Sequence, residues 1–433
     1  MTYAEAVPRV LALRGGEHAG MRPGLERIEG LLAALGHPEE RYTLVQVGGT
    51  NGKGSIASML AAILKADGRR VGLYTSPHLC SFRERIRVNA EPIASDAVVD
   101  GVDALGTLIA RFDATMFEAT TALALDHFAR EAVDVAVLEV GLGGRRDATT
   151  VGRPAATVLG PIDFDHQEHL GHTLAAIAGE KAAIIRSGVA LSAAQAPEAA
   201  AVVLRRAEEA RVPLLLEGRD LAVTVEARSL TGQRISLTGP DGKLIGLELP
   251  LLGVYQPPNA LLAVATARVL GAGEPAIRAG LARTRWPGRL EIVRRDPLMV
   301  LDGAHNPAGA RALARSLREV FGGEPLTLVI GLSQDKDAPE ILRTLVPLAT
   351  RVVLTRASNP RAADPRGLLA ALPPGAPPVQ IAESATEALG MAMQSPQTPM
   401  VCVAGSLFLL GDVFTLLAGE PDKPCPIEKG ADI

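Results

Sequence analysis

Gly48-Gly49-Thr50-Asn51-Gly52-Lys53-Gly54-Ser55 is the stretch on which the fold turns. An apolar run over residues 42–47 precedes it. Ile56, Met59, Leu60, Ile63 and Leu64 follow at i, i+3, i+4, i+7 and i+8, a spacing that predicts one buried helix face. A glycine-rich turn between a strand and a helix lets backbone N–H groups converge on an anion at the helix N-terminus, and Lys53 adds a point charge for the outer phosphates. The match to the common G-x-x-x-x-G-K-[ST] loop is imperfect: Val47 stands where the first glycine belongs, Gly54 follows the lysine, and Ser55 comes one place late.

Outward from this loop, short Val/Ile/Leu-rich runs at residues 71–75, 134–140, 156–159, 299–301, 326–330, 351–354 and 400–404 alternate with longer stretches of helical period. That alternation predicts parallel sheets covered by helices. Over residues 221–252 the pattern changes to alternating segments broken at Thr231-Gly232 and Pro240-Asp241-Gly242, the mark of antiparallel hairpins at one edge of the first unit. After Trp286-Pro287-Gly288 the strand–helix alternation starts afresh. The expected fold is α/β. A P-loop-containing, mostly parallel sheet domain with a small antiparallel β meander spans residues 1–287, a smaller Rossmann-like α/β domain spans 288–420, and a proline-bearing tail occupies 421–433. A chain of 433 residues has the length for two such domains.

Composition narrows the function classes. Lys+Arg (44) nearly balance Asp+Glu (48), a net charge of −4, which argues against binding nucleic acid or membranes by bulk electrostatics. Cys80, Cys402 and Cys425 form no CxxC pair, so neither a disulfide framework nor a zinc ribbon is expected. The N-terminal stretch carries Glu5, Arg9 and Arg14 and lacks the pattern of a signal peptide. No window reaches the roughly 18 uncharged apolar residues of a membrane helix, and a cytoplasmic protein is expected. Only seven of the 44 basic residues are lysine, which makes each lysine in a motif worth asking about, because arginine does not replace it chemically.

Further motifs lie at the predicted strand ends. Ser76 follows the second strand in Thr75-Ser76-Pro77-His78, by itself an ordinary turn. Glu139 ends an otherwise apolar strand, where a carboxylate is costly unless paired or bound to a cation. His166 opens His166-x-x-His169-x-x-His172, whose spacing does not fit the zinc pair of H-E-x-x-H. Lys181 reads as a helix residue, surface or functional. Asn306 and Pro307 suit the N-cap and first position of a helix and carry no catalytic weight on that reading. Capping does not account for Asp302 and His305 in Asp302-Gly303-Ala304-His305-Asn306-Pro307.

The loop at residues 49–55 together with this D-G-A-H-N-P string resembles the folylpolyglutamate synthase/dihydrofolate synthase family, a branch of the Mur ligase superfamily, and the resemblance runs from residues 27–32 to Gly405-Ser406. The chain departs from the family at Gln46 (usually His), Gly48 (usually Ala) and Thr150 (usually Asn). The resemblance implies an ATP-dependent ligase that adds L-glutamate to dihydropteroate or to reduced folates through an acyl phosphate. It implies ATP contacts from Thr50, Asn51, Gly52, Lys53, Gly54, Ser55, Asn259, Arg289 and Asp302. Mg²⁺ is expected on Ser76, Glu139 and His166, and a second metal ion on Lys181, if that lysine is carbamylated. Lys53, Lys181 and His305 are the implied catalytic residues, with His305 toward the substrate side. Phe117, an aromatic suited to stacking, lines the pterin pocket or packs in the core; Ser406 is a candidate on the substrate side, and Asp335-Lys336-Asp337 is either a site segment or a surface turn. A monomer acting on small molecules is expected.

Two other functions are weighed. A peptidoglycan-precursor ligase of the same superfamily usually lacks the glycine after the lysine and has a longer N-terminal region. A GTPase or regulatory nucleotide module would show an [NT]-K-x-D base-reading motif, and the sequence has none.

Overall fold

The structure, a computed structural model, describes residues 1–14, 24–394 and 399–418; the expected tail at 421–433 and Cys425 lie outside them. The first sheet contains β1 (Thr43–Gly48), β2 (Val71–Tyr74), β3 (Ile86–Val88), β4 (Glu91–Pro92), β5 (Val135–Glu139), β6 (Ala156–Leu159), β7 (Val189–Ser192) and β8 (Leu214–Leu216) in the order β4-β3-β2-β5-β1-β6-β7-β8. From β2 to β8 the neighbours are parallel; β3 pairs antiparallel with both β2 and β4. Helices cover both faces, which is why β5 and β6 are buried at every position and are mostly apolar. These helices are α1 (Tyr3–Leu11), α2 (Glu26–Ala34), α3 (Lys53–Ala66), α4 (Ser95–Phe112), α5 (Met116–Arg130), the short α6 (Gln167–Leu170), α7 (Leu174–Ala182) and α8 (Pro197–Ala210).

The meander forms a separate three-stranded antiparallel sheet, β9 (Ala222–Ser229), β10 (Gly232–Gly239) and β11 (Gly242–Leu249), and does not lengthen the main sheet. Its Ile235, Leu247 and Leu249 join Ile56, Leu60 and Ile63 of α3 and Leu262 of α9 (Gln256–Val269) in one core, which also takes in Ile277 and Leu281 of α10 (Glu274–Ala282). That packing brings the start of α9 to the glycine loop.

The second unit carries a sheet ordered β12-β13-β17-β14-β15-β16, from β12 (Glu291–Arg295), β13 (Leu298–Asp302), β14 (Leu326–Ile330), β15 (Ala349–Leu354), β16 (Val379–Ile381) and β17 (Met400–Ala404), parallel except for β12. Its helices are α11 (Pro307–Phe321), α12 (Ala338–Leu345), α13 (Ala385–Met393) and α14 (Leu407–Leu417). Among the described residues no helix is long and apolar enough to cross a membrane.

Candidate active site

Strand register decides which residues meet. Val47 pairs with Glu139 across β1 and β5, Gly48 with Leu159 across β1 and β6, and Tyr74 with Leu138 across β2 and β5. The turns after β2, β5, β1 and β6 therefore stand side by side at the carboxyl edge, where the chain has stepped to opposite sides of β1 and ligands bind in open α/β sheets. They carry Ser76, Glu139, the glycine loop and His166. The loop is pressed against the turn after β6: Gly49 has φ +124°, and a Cβ there would lie 2.9 Å from the Gly160 backbone nitrogen, so glycine is required. Thr50 donates its N–H to Pro161 (2.8 Å) and its hydroxyl to Asp163 (3.0 Å). From α9, Gln256 donates to the Ser55 hydroxyl (3.3 Å), and Asn259 donates to Gln256 (3.1 Å) while lying against Gly52, the N-cap of α3.

Two lysines converge on this loop. Lys53 donates to the carbonyls of Gly49 (3.2 Å) and Thr50 (3.0 Å), and Lys181, buried on α7, donates to the same Gly49 carbonyl (3.1 Å). Burial, with the neighbouring Lys53 charge, lowers Lys181 from the usual lysine range to about 7, and burial lowers Lys53 as well. Glu139 is buried at the end of β5, receives the Ser76 N–H (3.1 Å) and makes no ion pair among the described residues. Burial raises its pKa against the pull of Lys53. The turns at this edge thus carry a buried carboxylate with no ion pair, a serine, and an imidazole that burial lowers to about 4, hence neutral at pH 7, residue types that fit a divalent cation. His169 and His172 are exposed.

The second unit faces the loop with its own carboxyl edge. β13, β17 and β14 are neighbours, so Asp302–His305, Gly405-Ser406 and the segment holding Lys336 are brought together. Asp302 is buried and accepts from Tyr255 Oη (2.6 Å), Leu290 N–H (2.9 Å) and Ala304 N–H (2.8 Å), a carboxylate that ties the two units together. Arg289 lies against Gly303. His305 places Nδ1 2.7 Å from the Gly303 carbonyl, which only accepts, so Nδ1 carries the proton and the neutral ring keeps a lone pair on Nε2. Burial and Lys336 lower its pKa to about 4. Ser406 caps α14, accepting from Phe408 N–H (3.2 Å). Phe117 sits 6.0 Å from the Tyr74 ring and covers Gly141, two residues past Glu139.

Three residues do more than their sequence context indicates. Asn306 does cap α11 through Gly309 N–H (2.8 Å), but its amide also exchanges hydrogen bonds with Asn51 of the glycine loop (3.0 and 3.2 Å) and donates to Asp165 (2.9 Å), so capping alone is an incomplete account. Lys336 is no surface-turn residue. Its side chain is 8% exposed and ion-paired with buried Asp165 at 2.7 Å, and against the cost of burial that pairing holds Asp165 well below the usual carboxylate range. Asp165 is thus the point where the two units meet beside His166. Nothing local in the sequence marks it, apart from its place next to that histidine.

Residues 47–267 match the Mur ligase middle domain, and residues 288–407 match the Mur ligase glutamate ligase domain. The chain is 37% identical to the folylpolyglutamate synthase of Lacticaseibacillus casei, over 97% of this chain and 98% of that protein. The chain belongs to the folylpolyglutamate synthase/dihydrofolate synthase family. Members of this family are ATP-dependent ligases with the Mur ligase fold. The structure of Mycobacterium tuberculosis folylpolyglutamate synthase complexed with ADP and AMPPCP is similar at TM-score 0.90 and 35% identity, covering 96% of this chain and 99% of that one. An Escherichia coli structure in complex with DHPP and ADP is similar at TM-score 0.87 and 30% identity, covering 96% and 98%.

Proposed function

We propose, for this ATP-dependent ligase of L-glutamate to folates, that both dihydropteroate and tetrahydrofolate serve as acceptors. Relatives named for each activity support offering both. The observation that carries the reading is the meeting of two buried edges: Lys53, Lys181 and Glu139 around the glycine loop, and Asp302, His305 and Lys336 from the unit that begins at residue 288.

The loop of Thr50–Ser55 (residues 50–55) receives the ATP phosphates, with Asn259, Arg289 and Asp302 completing the nucleotide site. A carboxylate does not react with an amine because its leaving group would be oxide. Attack of the acceptor carboxylate oxygen on the γ-phosphorus breaks the bond to ADP and supplies a phosphate leaving group. Lys53 offsets charge as that transfer proceeds, chiefly by position and electrostatics. Bound at Ser76, Glu139 and His166, Mg²⁺ would supply further charge compensation for the phosphates. The α-amino group of glutamate then attacks the acyl carbon, phosphate leaves, and the ammonium proton passes to solvent; His305 Nε2, kept as a neutral acceptor by the Nδ1–H bond, orients the incoming amine. Lys181 with a pKa near 7 has the free amine that CO₂ attack requires, which supports carbamylation. Phe117 and Ser406 belong to the substrate side of the site. The enzyme works as a cytoplasmic monomer.

The test is ADP release by the purified protein with glutamate and either dihydropteroate or tetrahydrofolate. Turnover with each is expected. Activity with neither, but with a UDP-muramoyl substrate, overturns the reading, as does a folded Lys53→Ala variant that retains normal glutamate-dependent ADP formation.

A further inference from the structure

Gly54 lies in the first turn of α3 without the positive φ of Gly49 and Gly52, so backbone conformation does not demand glycine there. What excludes a side chain is Trp286. A Cβ built on Gly54 would stand 2.7 Å from the indole Cζ2, 2.9 Å from Nε1 and 3.0 Å from Cε2. The indole is itself held in place. It packs against the core shared by α3, α9 and the meander, the Arg87 guanidinium lies 5.8 Å from its ring centroid, and the preceding residue, Arg285, accepts the Ser58 hydroxyl on its carbonyl at 3.1 Å. Ser58 is one helical turn from Gly54, so both contacts fall on one face of α3. Immediately beyond, the chain enters the second unit: Gly288 accepts Gly303 N–H at 2.8 Å, and Leu290 N–H donates to Asp302 at 2.9 Å. The crossing segment, residues 285–290, is pinned to the nucleotide helix at one end and to the Asp302 strand at the other.

We propose that Trp286 is a positioning residue for phosphoryl transfer, filling the space left by Gly54 so that the glycine loop and the Arg289–Asp302 side of the site hold one ATP in fixed register. This rests on the loop being the ATP site. The glycine after the lysine, which departs from the common phosphate loop, is then a docking surface for the indole, and the phosphate does not require it.

The experiment is a size exchange between the two positions. Gly54→Ala forces the indole aside and is expected to lower kcat by about tenfold or more, since displacements near 1 Å at a reacting centre cost on the order of a hundredfold. Trp286→Leu alone lowers kcat several-fold while ADP affinity measured by calorimetry stays within about twofold, because the loop itself is intact. The double variant leaves room for the new methyl and is expected to be about fivefold or more faster than Gly54→Ala, a coupling that independent sites do not show. Trp286 is the only tryptophan in the sequence, so its emission in Gly54→Ala also shifts to the red. A Gly54→Ala variant as active as the parent, unshifted emission with lost activity, or a double variant no better than the two single effects combined overturns the proposal. If Gly54→Ala does not fold, Trp286→Phe and Trp286→Leu carry the test: kcat falls from Trp to Phe to Leu with ADP affinity held, and equal kcat in all three overturns it. Loss of activity in Lys53→Ala alongside an insensitive Gly54→Ala would leave the ATP site standing and refute only the part assigned to Trp286.

Discussion

Lys181 and Lys53 share one carbonyl, and burial, helped by the neighbouring Lys53 charge, makes the Lys181 amine chemically available. At a pKa of about 7, roughly half of the amine is unprotonated at neutral pH, whereas an exposed lysine is almost wholly an ammonium. Carbamylation by CO₂ therefore falls away as the pH drops below 7. Enzyme depleted of CO₂ at pH 6.5 is expected to regain activity on addition of bicarbonate, with Lys181→Arg inactive and unresponsive; a bicarbonate-independent parent would count against the carbamate. The same shift has a stability consequence. Between pH 7 and the ordinary lysine value the unfolded chain binds a proton that folded Lys181 lacks, so this group makes stability rise with pH across that window. Lys181→Met should flatten that rise in urea unfolding midpoints. Lysine scarcity made Lys181 worth asking about but left it surface or functional, and its pKa was not readable, because the shift comes from burial and from a residue 128 positions away.

At the scale of elements, cap chemistry explains where the helices begin and also why some functional residues hide. Thr115 and Glu118 form a capping box at α5, and the Glu118 carboxylate also shares one Nε–H of Arg27 of α2 between its two oxygens at 2.9 and 3.1 Å, which fixes the turn carrying Phe117. Thr115→Ala should cost about 1 kcal/mol in chemical denaturation. Asn306 carries a cap signal too, and that local explanation masks its bonds to Asn51 and Asp165. Those partners lie 255 and 141 residues away, beyond what any window of sequence reports. Breaking the buried Asp165–Lys336 pair is a stronger perturbation. Lys336→Met leaves a carboxylate uncompensated between the units and is expected to destabilise the protein by about 3–5 kcal/mol, whereas exposed pairs such as Arg234–Glu248 should be nearly neutral when removed. Urea titration of the two variants separates these outcomes. Strands over residues 156–159, 326–330 and 400–404 are found where the apolar runs predict them. β7, β8 and β16 escape that reading, being three or four residues long with no apolar run distinct from their neighbours.

For the whole molecule, the α/β architecture and the meander were legible because each is written in periodicity and turn residues. The seam between the units was not, being made of single polar side chains. That seam sets the acid response. Folded His305 titrates near 4 and the unfolded side chain near 6.5, so between those values the unfolded chain carries an extra proton and stability declines as the pH falls. His305→Gln should lessen the fall in urea midpoint from pH 7 to 4.5; an unchanged slope would place the acid sensitivity elsewhere. The distances along the chain have a further consequence, in biosynthetic time. Asn51 waits for Asn306 across 255 residues, and Ser55 for Gln256 across 201. At about 5–20 residues per second, the ribosome needs on the order of 10–50 s to supply the last partner of the glycine loop. Through that interval the nascent first unit holds its nucleotide loop with one wall missing, and the site is complete only after the second unit has been synthesised and has docked.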